Sequence, residues 1–167
     1  MKERESDPAL TELRATMRQL ERGGAWTRCG RLDAPAGPDT WLDRIAPEIH
    51  TVVRRANEEW APQDSYVEAP ATLAEVAPHM RGIGPDEAVA HLTRFAAECL
   101  CWRVPLMDRQ AAGEHASRVA GLLGPRARWW TNHEEHGWNG LTGCTFDGVV
   151  AGTDGVRFTV LVQATVD

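Results

Sequence analysis

The chain has 167 residues, 43% of them hydrophobic, 25% charged and 7% aromatic, with 24 acidic against 18 basic side chains for a formal charge of −6. A chain of this length buries roughly 70% of its unfolded surface, enough for one soluble domain over 1–167 whose core needs neither disulfide nor structural metal. No run approaches the ~18 consecutive apolar residues of a membrane span, and net acidity without a basic helix argues against nucleic acid, whose phosphates call for a basic surface.

The opening Met1-Lys2-Glu3-Arg4-Glu5 mixes both charge signs and resembles no secretory leader, so a cytoplasmic protein is expected. The first helix is signalled by Asp7 as N-cap, Pro8 at the first helical position and Leu10, Leu13, Met17 and Leu20 at spacings of three and four, with Gly23-Gly24 as its stop. Ala25 to Leu32 offers a short strand, but Gly30 and the Asp33-Ala-Pro-Ala-Gly-Pro run that follows favour a loop. A second helical region opens at Asp39, is reset by Pro47 and continues to Trp60 with Ile49, Val52, Val53 and Ala56 on one stripe. After a Pro-bearing connection, Thr72 to Met80 reads as a short helix and Arg81-Gly-Ile-Gly as a stop. Pro85 to Trp102 is expected to be the most hydrophobic helix, and Met107 to Leu123 a fourth major one ending at Gly124-Pro125. The four cysteines, Cys29, Cys99, Cys101 and Cys144, are expected as free thiols; Cys99 and Cys101, two apart on the predicted helix, point to different faces.

After Pro125 the apolar period changes from 3.6 to 2. Val156, Phe158, Val160, Val162, Ala164 and Val166 alternate with Arg157, Thr159, Leu161, Gln163 and Thr165, as in a half-buried antiparallel strand. Its partner is Gly143 to Gly152. Keeping one face apolar selects a three-residue loop, Thr153-Asp154-Gly155, that sets Val150 opposite Phe158, since neighbouring registers bring Asp147 or Thr145 onto that face. Arg126 to Asn132 supplies a third strand. The expectation is an α+β domain: about four major helices over residues 7–124, then a small antiparallel sheet over 126–167 closed by a C-terminal β-hairpin.

The densest polar cluster is His133-Glu134-Glu135-His136. Imidazole and carboxylate both ligate divalent metals, which makes His133, Glu134 and His136 the candidate metal set; a zinc-hydrolase helix, however, needs its two His four apart, and these are three apart in a loop-like segment. No cofactor is otherwise expected. On the long helix Glu87 and His91 stand one turn apart, the candidate catalytic pair if a base is presented to a cleft. No Ser lies in a nucleophile elbow, and Gly152-Thr-Asp-Gly155 opens no helix and so cradles no phosphate.

Tryptophan supplies 7 of the 11 aromatic residues. Trp26, Trp41, Trp60 and Trp102 fit helical packing. Trp129 and Trp130 are adjacent on a strand and point to opposite faces, and Trp138 lies in a Gly- and Asn-rich loop, so this trio, with Glu134 and Glu135, is the candidate partner-binding surface. Residues 58–98, with eight carboxylates against two arginines, form an acid block that suits a basic protein partner. The leading expectation is therefore a small acidic binding protein of the immunity or antitoxin kind, masking a basic toxin. Its rivals are a small metal-dependent or cofactor-free enzyme and a ligand-binding regulator with an aromatic pocket between helices and sheet.

Overall fold

The computed structural model describes residues 6–33 and 37–167. The leader reading at Met1–Glu5 and the Ala34–Ala36 part of the expected loop lie outside them. The architecture is α+β, with five helices around an antiparallel five-stranded sheet and a separate two-stranded hairpin.

Helix α1 (Pro8–Glu21) starts as its sequence signals require: Asp7 Oδ1 accepts from the Leu10 amide at 3.2 Å and Pro8 occupies the first turn. A 3₁₀ turn (Pro38–Thr40) leads into α2 (Trp41–Trp60), one continuous helix through Pro47. Pro47 is exposed, so its ring and the missing amide bond fall on the solvent side, while Ile45, Ile49, Val52, Val53 and Ala56 pack inward. A capping box of Thr72 and Glu75 opens α3 (Leu73–His79). Helix α4 (Pro85–Ala97) stops five residues short of the expected Trp102, because Glu98 turns extended; Cys99, Leu100 and Trp102 leave the helix for a loop. Helix α5 (Arg109–Leu123) is capped by Asp108.

The strands are β1 (Trp26–Arg31), β2 (Arg81–Ile83), β3 (Arg128–Thr131), β6 (Phe146–Thr153) and β7 (Arg157–Thr165), in the spatial order β1-β7-β6-β3-β2; β4 (His133–Glu134) and β5 (Gly137–Trp138) form the small hairpin. Two segments expected as loop and stop are thus the edge strands. Gly30, the residue that argued against a strand, is the reason β1 can lie there: a Cβ at Gly30 would come within 2.9 Å of the Phe158 ring.

The sheet is covered on both faces. Helices α1, α4 and α5 bury Leu13, Leu92, Phe95 and Val119 against Trp129, Val150 and Leu161. Helices α2 and α3 bury Ile45, Ile49, Val53 and Val76 against Trp130, Val149, Val160 and Val162. This double cover overturns the register argument, which assumed one wet face. Val150 pairs with Leu161, not Phe158, and Asp147 sits opposite Ala164 on the α2 side. It also places Trp129 and Trp130 in opposite cores, at 2% and 8% exposure, so neither can anchor a partner, whereas Trp102, expected in the core, is 69% exposed. Among the described residues no helix is long and apolar enough to cross a membrane.

Candidate functional site

Beyond Thr131 the chain leaves the sheet at Asn132, and two buried side chains fix where it goes. Asn132 Nδ2 donates to the Asn139 carbonyl at 3.0 Å and to Asp147 Oδ1 at 2.6 Å, while its Oδ1 accepts from the Val149 amide at 2.8 Å. Asp147 Oδ2 accepts from the amides of Leu141 (2.9 Å) and Thr142 (2.8 Å) and from the Thr142 hydroxyl (2.8 Å). Every oxygen of this buried carboxyl is thereby used, and the β4–β5 hairpin is stapled to the sheet at both ends.

His133, the first residue of that hairpin, is 7% exposed. Its Nε2 lies 2.8 Å from the Asp147 carbonyl oxygen, which can only accept, so Nε2 carries the proton and Nδ1 is the acceptor of the neutral ring. Nδ1 has no hydrogen-bond partner among the described residues, yet it is not sealed from solvent. The ring belongs to a continuous aromatic row. Centroid separations are 5.3 Å for His91–Phe95, 4.8 Å for Phe95–His133, 5.8 Å for His133–Trp138 and 5.4 Å for Trp138–Phe146.

The opposite wall comes from the 98–106 loop. The Cys99 amide donates to Val104 and the Arg103 amide to Cys99, both at 2.8 Å, and Glu98 bridges to Pro105. Arg103 takes φ 53°, the one non-glycine residue in the left-handed region among those described. Buried Gln163 holds the loop from below: Nε2 donates to the carbonyls of Phe95 and Glu98, and Oε1 accepts from the Leu100 amide at 2.8 Å. In the alternation pattern Gln163 counts as one of the solvent-facing residues; its placement under this loop follows from the second covered face, which the pattern does not reveal.

Hairpin and loop enclose a cavity of about 390 Å³, with His133, Trp138 and Phe146 on one side and Leu100, Cys101 and Arg103 on the other. Arg94, Glu134 and Glu135 also line it. Glu134 accepts from Asn139 at 3.3 Å, Glu135 lies 3.8 Å from His136, and Arg94 lies 3.8 Å from Glu98. Arg103 has no such partner among the described residues.

The candidate catalytic pair is brought against this cavity from behind. Arg81 donates at 2.7 Å to the His133 carbonyl and at 2.7 Å to Glu87, and Glu87 stands 3.6 Å from His91, whose ring is 5.9 Å from that of His133. Burial holds the pKa of His91 below its ordinary value, against the pull of Glu87; burial does the same for His133, helped by Arg94. The Arg81 guanidinium keeps Glu87 below the usual carboxylate range.

The candidate metal set does not converge. Strand alternation sends Glu134 away from His133, and His136 is exposed at the turn beside Glu135; among the described residues no three His, Cys, Asp or Glu form a metal-holding group. Of the partner-binding residues, Glu134, Glu135 and Trp138 are exposed together on the hairpin. The thiols are all free, and burial raises those of Cys101 and Cys144 and pushes Cys29 up to about 11, which removes thiolate character. Comparison with known proteins finds no matching family model, no matching curated protein and no matching solved structure.

Proposed function

We propose that this is a binding protein and that its partner-facing surface is the rim of the cavity between the β4–β5 hairpin and the 98–106 loop. The observation that carries this reading is the sorting of the tryptophans. Trp102 and Trp138 are exposed at 69% and 40% and lie on the loop and hairpin that form the two cavity walls, whereas Trp41, Trp129 and Trp130 are buried. Exposed Trp held on a stapled scaffold contributes large contact area at small entropic cost, the usual make-up of an interface anchor.

Exposed Glu134 and Glu135 beside Trp138, together with the net charge of −6, favour a basic protein as the partner, as an immunity or antitoxin protein would have. The acid block over 58–98 contributes less to one surface than its sequence suggests. It runs from α2 and α3 on one side of the sheet to α4 on the other.

The test is co-purification with products of the protein's own locus. A salt-sensitive complex is expected, weakened at least tenfold by Trp138→Ala and by Glu134→Lys with Glu135→Lys, the charge reversals leaving the melting temperature unchanged because both carboxylates are exposed. No co-purifying product, or a complex indifferent to these changes, overturns the reading.

A second reading, a small-ligand binder, is favoured by one separate observation: buried His133 lines the cavity with Nε2 bonded to the Asp147 carbonyl and with Nδ1, which solvent reaches, unpartnered among the described residues.

A further inference from the structure

We propose that the cavity between the β4–β5 hairpin and the 98–106 loop is a binding site for a small aromatic acid that carries a ring hydroxyl, held by His133 Nδ1, the Trp138 ring and the Arg103 guanidinium. The inference uses the cavity itself and does not depend on the protein partner proposed above.

Three features with different chemistry converge on one volume. First, an unpartnered acceptor on a buried ring: His133 is 7% exposed and lines the cavity, its Nε2 is committed to the Asp147 carbonyl, and Nδ1, with no partner among the described residues, is the ring nitrogen that solvent reaches. The unprotonated nitrogen of a neutral imidazole only accepts, so a ligand O–H is the group that would take the place of solvent at this atom. Second, an aromatic wall: Trp138 lies 18° from parallel with the His133 ring and 5.4 Å from the Phe146 ring, neighbours that hold the indole in place while 40% of the residue stays exposed. Third, a cation without a counterion: each of Arg94, Glu134 and Glu135 has a charged or polar neighbour, whereas Arg103 has none among the described residues. The backbone at Arg103 is held at φ 53° by the Cys99–Val104 and Arg103–Cys99 bonds, a conformation that non-glycine residues adopt at a cost and that recurs at ligand clamps.

The cavity of about 390 Å³ is at the small end of ligand pockets, which suits a single substituted ring. An acceptor, a flat wall and a cation together select a planar body with a donor at one position and an anion at another.

The experiment titrates the full-length protein with 2-, 3- and 4-hydroxybenzoate, with benzoate and with 4-hydroxybenzyl alcohol, reading heat and tryptophan fluorescence. At least one hydroxybenzoate is expected to bind and to quench fluorescence. It should bind at least fivefold more tightly than benzoate, which lacks the donor, and than the alcohol, which lacks the anion. His133→Gln keeps a side-chain N–H for the Asp147 carbonyl and takes the acceptor off the Nδ1 position, so it should erase the preference over benzoate. Arg103→Gln, on an exposed loop, should weaken the acids about tenfold and leave the alcohol unchanged. Trp138→Leu should abolish the quench. If no hydroxybenzoate binds, if benzoate binds equally well, or if Arg103→Gln weakens acid and alcohol alike, the proposal is overturned. Loss of the protein partner with the ligand pattern intact would overturn only the partner reading.

Discussion

Asp147 sits in a strand with both faces covered, 1% exposed, and its two oxygens accept four hydrogen bonds from Asn132, Leu141 and Thr142. Replacing it by Ala leaves two buried amides, a hydroxyl and one of the two Asn132 side-chain N–H groups without an acceptor, each costing about 1–3 kcal/mol where water cannot enter. Asp147→Ala is therefore expected to destabilise by about 3 kcal/mol or more, measured by urea denaturation, and to raise amide exchange at Asn132–Asn139, which the carboxyl staples. Asp147→Asn should lose less, because its remaining oxygen can keep the three Oδ2 bonds and only the Asn132 bond is lost, where two amide N–H groups would then face each other. An Ala variant within about 0.5 kcal/mol of the parent would show that the staple contributes little. The same residue marks where pattern reading from the sequence stops. A carboxylate on an otherwise apolar face argues for a different register when its hydrogen-bond partners are out of view, and those partners lie in a loop, 139–145, with no periodicity of its own.

The first helix and the inner strands of the sheet were legible, and the two edge strands were not. Helix α1 shows its N-cap, first-turn proline and apolar stripe in sequence, and all three hold. Strand β3 lies within the expected 126–132, and β7 shows its alternation. Strands β1 and β2 were missed because their glycines read as breakers; Gly82 of β2 has open space around it, whereas Gly30 of β1 is a packing residue, as are two glycines of β6. A Cβ at Gly148 would come within 2.7 Å of the Phe95 ring and one at Gly152 within 2.4 Å of Trp129, so the strands carry no side chain where an aromatic ring from the facing layer or neighbouring strand lies flat. Gly152→Ala should then cost about 1–3 kcal/mol through displacement of Trp129, with a shifted tryptophan emission as the accompanying signature. Unchanged stability would mean that the ring relaxes freely. The candidate site was half legible. Its charged tip, Glu134 to His136, and Trp138 stand out in sequence, but the Glu98–Leu106 wall was hidden inside an overlong helix prediction, and Gln163 beneath it passed as a solvent-facing residue.

At the scale of the molecule, the two layers meet the hairpin through two imidazoles, and this makes acid sensitivity specific. His91 faces Glu87, Arg81 and Arg94, and His133 faces Asp147, His91 and Arg94. For both, burial is the dominant influence and holds the pKa below the ordinary 6.5, so the folded state takes up protons less readily than the unfolded chain. Above pH 6.5 both rings are neutral in both states and their contribution is complete. As pH falls below 6.5 the unfolded chain binds protons that the fold resists, and stability declines until the lowered folded values are passed. The ion pair of Asp7 with Arg157 acts in a lower window. Its hydrogen bond holds the Asp7 carboxyl below 3.8, so its support is present above that pH and is lost as pH falls through the lowered value. Two separate declines are expected in melting temperature against pH, the first beginning near 6.5 and the second below about 4. Replacing His91 and His133 together by Gln should flatten the first and leave the second. Because neutral His133 keeps its Nε2 bond to Asp147 while protonation adds a charge beside Arg94, the first decline should coincide with faster amide exchange in the 133–138 hairpin. A first decline that persists in the double variant would assign it to other groups and remove the imidazoles from the acid response.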